Sequence, residues 1–140
     1  MFKMGATRLP AKRWIVLNPV GMPGATDDKV LWEGYLRRLG APEGPLSLER
    51  AKEVRVLWGL LERRLGSALR PPAAGPLEND GFAMSWDNGR HHFEIEVAPD
   101  GTYGWFYMDR DSEARAGEED QTLSTLSPGL ISQLRRTLAA

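Results

Sequence analysis

The dipeptide Asn88-Gly89 lies between two short stretches in which apolar side chains recur at every second position. Both central residues of a tight hairpin loop need positive φ, which Asn and Gly adopt at low cost. Alternation of period two is typical of strands that bury one face. The sequence therefore predicts a β-hairpin with a two-residue loop. That loop implies three cross-strand pairs, which are Trp86 with His91, Met84 with Phe93, and Phe82 with Ile95.

A second turn, Pro99-Asp100-Gly101, leads into a third predicted strand. Pro followed two residues later by Gly suits a type I turn closed by a glycine bulge. In this register three aromatic side chains enter the core, namely Tyr103, Trp105 and Tyr107. A tighter loop would instead turn inward the other set, namely Gly104, Phe106 and Met108. The turn chemistry and the burial of the larger aromatics favour the bulged register.

Two helices are predicted before the hairpin. The first has Asp27 or Asp28 as its N-cap and ends at Gly40 and Pro42. Its apolar stripe consists of Leu31, Trp32, Tyr35, Leu36 and Leu39. The second helix is capped by Ser47 and ends at Gly66. Its apolar residues step by three and four, and they are Ala51, Val54, Trp58, Leu61 and Leu65.

Near the C-terminus, Ser127-Pro128 predicts the start of a last helix, with Ser as the cap and Pro at the first helical position. Leu130, Leu134 and Leu138 form its apolar stripe. The segment Asp109–Gln121 is polar and acidic, and we expect a mobile loop there.

These elements predict one α+β domain over residues 1–140: an N-terminal helical hairpin, a three-stranded antiparallel meander, and a C-terminal helix packed on the sheet. Residues 1–26 form a basic arm with a short strand at Trp14–Leu17, and residues 27–66 form the helical hairpin. Residues 67–80 form a Pro-rich connector, and residues 81–140 contain the sheet and the last helix.

Composition excludes several classes of protein. The chain contains no Cys, so a disulfide scaffold, a Cys-ligated zinc site and a Cys nucleophile are excluded. Even the longest apolar runs, such as Trp14–Leu17, are too short for a membrane span or a secretory signal, and we expect a soluble, cytoplasmic protein with no membrane partner. The net charge is -1, but residues 1–66 carry a balance of +5 and residues 67–140 one of -6. This asymmetry favours an electrostatically steered partner.

No nucleophile elbow, phosphate-binding glycine loop or dinucleotide fingerprint is present, and we expect no cofactor and no catalytic residue. Two polar sets nevertheless contain residue types that can ligate a metal. His92, Glu94 and Glu96 share one strand face, and a His with two carboxylates can hold a metal. Asp109 and Asp111 follow the third strand, where carboxylates can hold Mg²⁺. Neither set has the further ligands that a complete site needs, so a solvated strand face and a polar loop are the favoured interpretations.

The turn and core residues of residues 81–110 resemble a loose group of small, uncharacterised bacterial α+β proteins. The resemblance rests on Ser85-Trp86-Asp87-Asn88-Gly89, Phe93-Glu94-Ile95-Glu96 and Pro99-Asp100-Gly101-Thr102, together with Trp105-Phe106-Tyr107 and Asp109-Arg110. Proteins of this group often lie among phage, plasmid or defence genes. The resemblance therefore implies a genetic context, and it carries no catalytic residue to this chain.

The leading hypothesis is a non-enzymatic module that binds another protein with a basic surface, such as an antitoxin, an immunity factor or a phage-encoded inhibitor. The predicted contact residues are His92, Glu94, Glu96, Phe106, Glu118, Glu119 and Asp120. One alternative is a metal-dependent nuclease or phosphohydrolase that uses Asp109, Asp111, Glu94 and His92. Another alternative is nucleic-acid binding through the basic arm, with Arg8, Lys12 and Arg13 contacting phosphates.

Overall fold

The computed structural model describes residues 25–139, which contain three α-helices and one antiparallel sheet of five strands. The helices are α1 (Ala25–Arg38), α2 (Leu48–Leu65) and α3 (Pro128–Ala139). The strands are β1 (Ala73–Leu77), β2 (Gly81–Asp87), β3 (His91–Val97), β4 (Tyr103–Asp109) and β5 (Arg115–Gln121), and they lie in the sheet in that order. The strand predicted at Trp14–Leu17 falls outside the described residues, and so does the predicted basic arm except for Ala25 and Thr26, which belong to α1.

The predicted α+β class is confirmed, but the prediction of three strands was wrong. The Pro-rich connector contains β1, which pairs with β2. Pro76 has no N–H, yet an edge strand tolerates it because only one of its two sides must supply ladder hydrogen bonds. The segment expected to be a mobile loop contains β5, which pairs with β4. Its acidic side chains are compatible with a strand because β5 also lies at an edge, where one side of the strand meets solvent.

The register of the first hairpin differs from the prediction by two residues. Trp86 lies opposite Phe93, not His91, and the neighbouring pairs shift equally. The cause is the Asn88 side chain, whose Oδ1 accepts hydrogen bonds from the N–H groups of Arg90 (3.0 Å) and His91 (2.7 Å). Gly89 and Arg90 therefore occupy the centre of the turn, with Gly89 at φ 95°. A shift of two residues leaves every side chain on its predicted face, because strands alternate with period two.

The bulged register of the second turn is confirmed. Ala98 donates its N–H to the carbonyl of Thr102 (2.8 Å), and Val97 lies opposite Tyr103. Gly101 has φ 89°, a conformation that glycine adopts without strain. Three large aromatics, Tyr103, Trp105 and Tyr107, are consequently buried on the inner face, which is the face of the sheet that packs against the helices.

Helix α2 follows its sequence pattern. The Ser47 hydroxyl accepts a hydrogen bond from the Arg50 N–H (3.0 Å), Gly66 caps the C-terminus, and the predicted apolar residues are buried. Helix α3 begins as expected, since the Ser127 hydroxyl accepts from the Leu130 N–H (3.0 Å). Its leucines are buried, and the helix contacts β2, β3 and β4. The predicted packing of the last helix on the sheet is confirmed.

Helix α1 departs from its predicted stripe. It begins at Ala25, before both aspartates, so neither is the residue preceding the helix. Trp32 is fully buried against Trp58 of α2, with ring centroids 5.0 Å apart, whereas Leu31 is 43% exposed. The prediction for Leu31 was wrong because adjacent helical residues point about 100° apart, and the contact with α2 selects the side that carries Trp32.

Candidate functional site

The outer face of the sheet, opposite the helices, collects the polar side chains of the three central strands. The outer face comprises the outward-facing residues Ser85, Asp87, His92, Glu94, Glu96, Phe106 and Met108. Strand alternation brings four predicted contact residues onto this face, and Glu94 lies directly opposite Phe106. The face is less exposed than expected, since the His92 side chain is 21% exposed and that of Glu94 is 15% exposed.

A continuous chain of four charged side chains runs along the outer face. Glu94 Oε1 lies 2.9 Å from His92 Nε2, and His92 Nδ1 lies 2.9 Å from Asp87 Oδ2. Arg110 continues the chain by donating to both carboxylate oxygens of Asp87, at 3.0 and 2.7 Å. We call these four residues the charged chain. Each link joins a group that can be cationic to an anionic one, so the links are charge-assisted hydrogen bonds.

The geometry of the charged chain favours a protonated His92. A carboxylate only accepts hydrogen bonds, so an imidazole between two carboxylates must donate from both ring nitrogens. Burial lowers the pKa of His92, but the hydrogen bonds and charges of Glu94 and Asp87 outweigh it and raise that pKa above 6.5. Burial raises the pKa of Asp87, but hydrogen bonds from Arg110, Gly89 and His92 together hold that pKa well below its usual range.

The hydrogen bonds of His92 with Glu94 and Asp87 argue against a metal site formed by His92, Glu94 and Glu96. A metal-bound imidazole needs a free lone pair on one ring nitrogen, whereas both nitrogens here face carboxylates. Within residues 25–139, no group of three or more His, Asp or Glu side chains is arranged to hold a metal ion.

The residues of the nuclease alternative are not brought together. Asp109 pairs with His91 across the strands, so it lies on the inner face, whereas His92 and Glu94 lie on the outer face. The Arg90 guanidinium donates to both oxygens of Asp109, at 3.0 and 3.1 Å, and holds the pKa of that carboxyl well below its usual range. Arg90 also lies 3.4 Å from Asp111. Both carboxylates thus act in an ion-pair network that closes the β4–β5 turn.

The acidic contact residues of β5 form a second group, separate from the outer face. Glu118 accepts a hydrogen bond from the indole N–H of Trp105 (2.7 Å), a residue of the inner face. Next to Glu118 the β4–β5 register shifts, and Asp120 adopts φ 57° in this bulge. The structure therefore divides the predicted contact residues between the outer face and the β5 edge.

Two members of the charged chain, Asp87 and Arg110, were absent from the predicted contact set. Asp87 directly precedes the hairpin turn, and Arg110 directly follows β4. Their pairing across 23 positions of sequence depends on the correct hairpin register. The alternation of Ser85 and Asp87 with buried residues indicated the outer face for Asp87, but no local pattern indicated Arg110 as its partner.

Replacing Asp87 by asparagine should lower the pKa of His92, because one of the two carboxylates that favour the imidazolium is lost. The raised pKa of His92 also makes folding pH-dependent. The protonated His92 contributes its full stabilisation below pH 6.5, the usual pKa of histidine, and this stabilisation is lost as pH rises through the pKa of His92 in the folded protein. NMR titration of the His92 ring protons measures the shift. Glu43→Asn, at an exposed position between α1 and α2, serves as control. An unchanged His92 pKa in Asp87→Asn would contradict the charged chain.

Arg8, Lys12 and Arg13, the candidate nucleic-acid contacts, lie outside the described residues. Among the helices of residues 25–139, none combines the length and the apolar character that a membrane span requires.

No family model, no curated protein and no solved structure matches this chain.

Proposed function

We propose that the protein is a non-enzymatic interaction module that binds another protein through the outer face of its sheet. The observation that carries this proposal is the charged chain, in which Glu94, His92, Asp87 and Arg110 hold one another in place. Side chains that are ordered before binding lose less conformational entropy when a partner docks. A row of polar groups fixed on a sheet surface is thus suited to recognition.

The charged chain is neutral when His92 is protonated, so Glu96 and the acidic residues of the β5 edge supply the negative charge that favours a partner with a basic surface. Glu94 and Glu96 lie at alternate positions of the central strand, and Phe106 lies opposite Glu94. Aromatic side chains are enriched at protein interfaces, and acidic groups beside them select partners of opposite charge. The proposal extends to the biological role: the expected resemblance of residues 81–110 to small proteins of phage, plasmid and defence genes would make this module an antitoxin, an immunity factor or an inhibitor.

The test begins with co-purification of the full chain from its native host and identification of the bound protein by mass spectrometry. The partner is then purified, and its affinity is measured by calorimetry for the wild type and for Glu94→Lys/Glu96→Lys. We expect the double variant to bind at least about tenfold more weakly, because like charges would then face each other across the interface. Near-UV circular dichroism checks that the variant keeps its fold.

The matched control is Glu43→Lys, which reverses an exposed charge in the loop between α1 and α2. The control should bind as the wild type does. Equal affinity of the wild type and the double variant would remove the outer face as the docking surface. Equal weakening by the control would show a general effect of net charge.

A further inference from the structure

Four arginines form an exposed surface on the side of the molecule where α2 ends beside α3. Arg63 and Arg64 lie in the last turn of α2, and Arg135 and Arg136 lie in the second half of α3. Arg135 donates to the main-chain carbonyl of Arg64 (3.1 Å) and so joins the two helices. We call these four residues the arginine face.

Of the arginines within residues 25–139, three are neutralised by aspartates, whereas the arginine face is not. Arg50, Arg90 and Arg110 each form an ion pair with an aspartate. By contrast, no member of the arginine face forms an ion pair with any residue of the described range 25–139. The negative ends of the α2 and α3 dipoles offset only a part of this charge. The face therefore concentrates positive charge on a protein whose net charge is -1.

Two adjoining depressions run along this face. One, of about 500 Å³, is lined by Arg64, Arg135, Arg136 and Ser132 beside Pro128 and Ile131. The other, of about 240 Å³, is lined by Arg63, Arg64, Ser124 and Thr125. Arg64 lines both depressions, and we call the two together the groove. Besides the arginines and hydroxyl residues, the lining includes apolar side chains, namely Ala139 in the larger depression and Leu60 and Leu126 in the smaller one.

We propose that the arginine face binds the phosphodiester backbone of nucleic acid. Guanidinium groups donate paired hydrogen bonds to phosphate oxygens, and Ser and Thr hydroxyls are common phosphate contacts. Protein interfaces, by contrast, are built around a buried apolar core. The large exposed apolar side chains of the described chain lie elsewhere, on α1 and in the N-terminal part of α2, and they are Val30, Leu31, Leu48 and Val56.

The groove has the dimensions for backbone contacts without base recognition. Helix α3 has 12 residues, which corresponds to a length of about 18 Å. Successive phosphates of one DNA strand advance by about 3.4 Å along the duplex axis, so a helix as long as α3 spans about five phosphates. The groove lining contains no aromatic side chain on which a base could stack. Binding through this face is therefore independent of sequence.

The test measures fluorescence anisotropy of a labelled 20-base-pair DNA duplex with the full-length protein between 50 and 200 mM NaCl. Four phosphate contacts predict that affinity falls about 150-fold over this range. The variant Arg63→Gln/Arg136→Gln removes two contacts and should reduce this fall to about 12-fold. It keeps Arg135 and its contact between the helices.

Two further variants locate the contact. Arg37→Gln/Arg38→Gln removes two exposed arginines at the end of α1 and should leave the salt dependence unchanged. Arg8→Gln/Lys12→Gln/Arg13→Gln tests the basic arm. The proposal is overturned by absent DNA binding at 50 mM NaCl, or by a wild-type salt dependence in Arg63→Gln/Arg136→Gln. It is also overturned if only the arm variant lowers affinity, or if polyglutamate displaces the DNA as well as unlabelled DNA does. The last result would identify an acidic protein as the partner.

Discussion

Replacement of Phe93 by alanine is expected to lower the free energy of unfolding by about 4 kcal/mol. Phe93 is fully buried at the centre of the inner face. Its ring stacks on Trp105, with centroids 5.6 Å apart and planes at 18°, and contacts Trp86 from the adjacent strand at 6.2 Å. Removal of the ring leaves a cavity between two rigid indoles, which cannot close around it without distorting three strands.

Urea denaturation followed by tryptophan fluorescence measures this loss. Phe93→Leu keeps most of the volume and should cost less than about 1.5 kcal/mol, so the effect remains measurable if the alanine variant does not fold. Val56→Ala, at a position that is 47% exposed, should change stability by less than about 0.5 kcal/mol. A loss below about 1 kcal/mol for Phe93→Ala would show that the ring is not in a packed core.

Replacement of Arg50 by methionine is expected to cost about 3 kcal/mol, the lower end of the range for breaking a buried ion pair. Arg50 is buried although it is charged. Its guanidinium forms an ion pair with Glu53 and donates hydrogen bonds to the carbonyls of Asp80 (2.9 Å) and Pro99. It thereby fastens α2 to the β1–β2 and β3–β4 turns. The cost is at the lower end because Glu53 and Asp80 are partly exposed, so water solvates the carboxylates that lose their partner.

Thermal and urea unfolding of Arg50→Met measure this contribution. Lys52→Met makes a similar change two residues further along the same helix, at an exposed position, and should alter stability by less than about 0.5 kcal/mol. Equal stability of the two variants would mean that the contacts of Arg50 do not stabilise the packing of α2 against the sheet turns.

Much of the fold was predictable from local patterns. The apolar stripes of α2 and α3, their serine caps and the period of the three central strands all arise from side chains within a few residues of one another. The bulged register at Gly101 followed from the same local chemistry, since its φ of 89° is a property of the turn itself. The outer face was predictable to the same extent, because alternation alone places His92 and Glu94 together.

Features that depend on neighbours distant in sequence could not be predicted. Strands β1 and β5 contain Pro, Gly and acidic residues, and they form because β2 and β4 offer unpaired edges to them. The register of the first hairpin has a local cause, since Asn88 Oδ1 accepts from the N–H groups of Arg90 and His91, and a distant contact as well, since the Asn88 side chain also donates to the carbonyl of Thr137 in α3 (2.9 Å).

The amino-acid sequence by itself determined the class of the fold, the helix caps and the face on which each side chain of the central strands lies. Only the tertiary structure decided that Arg110 holds Asp87, that Arg90 pairs with the carboxylates of Asp109 and Asp111, and that four arginines of two helices line two neighbouring depressions. The physical reason is how far apart in the sequence the interacting residues lie. Backbone conformation and periodicity depend on adjacent residues, whereas an ion pair forms only after chain topology and register have brought its distant members within about 4 Å.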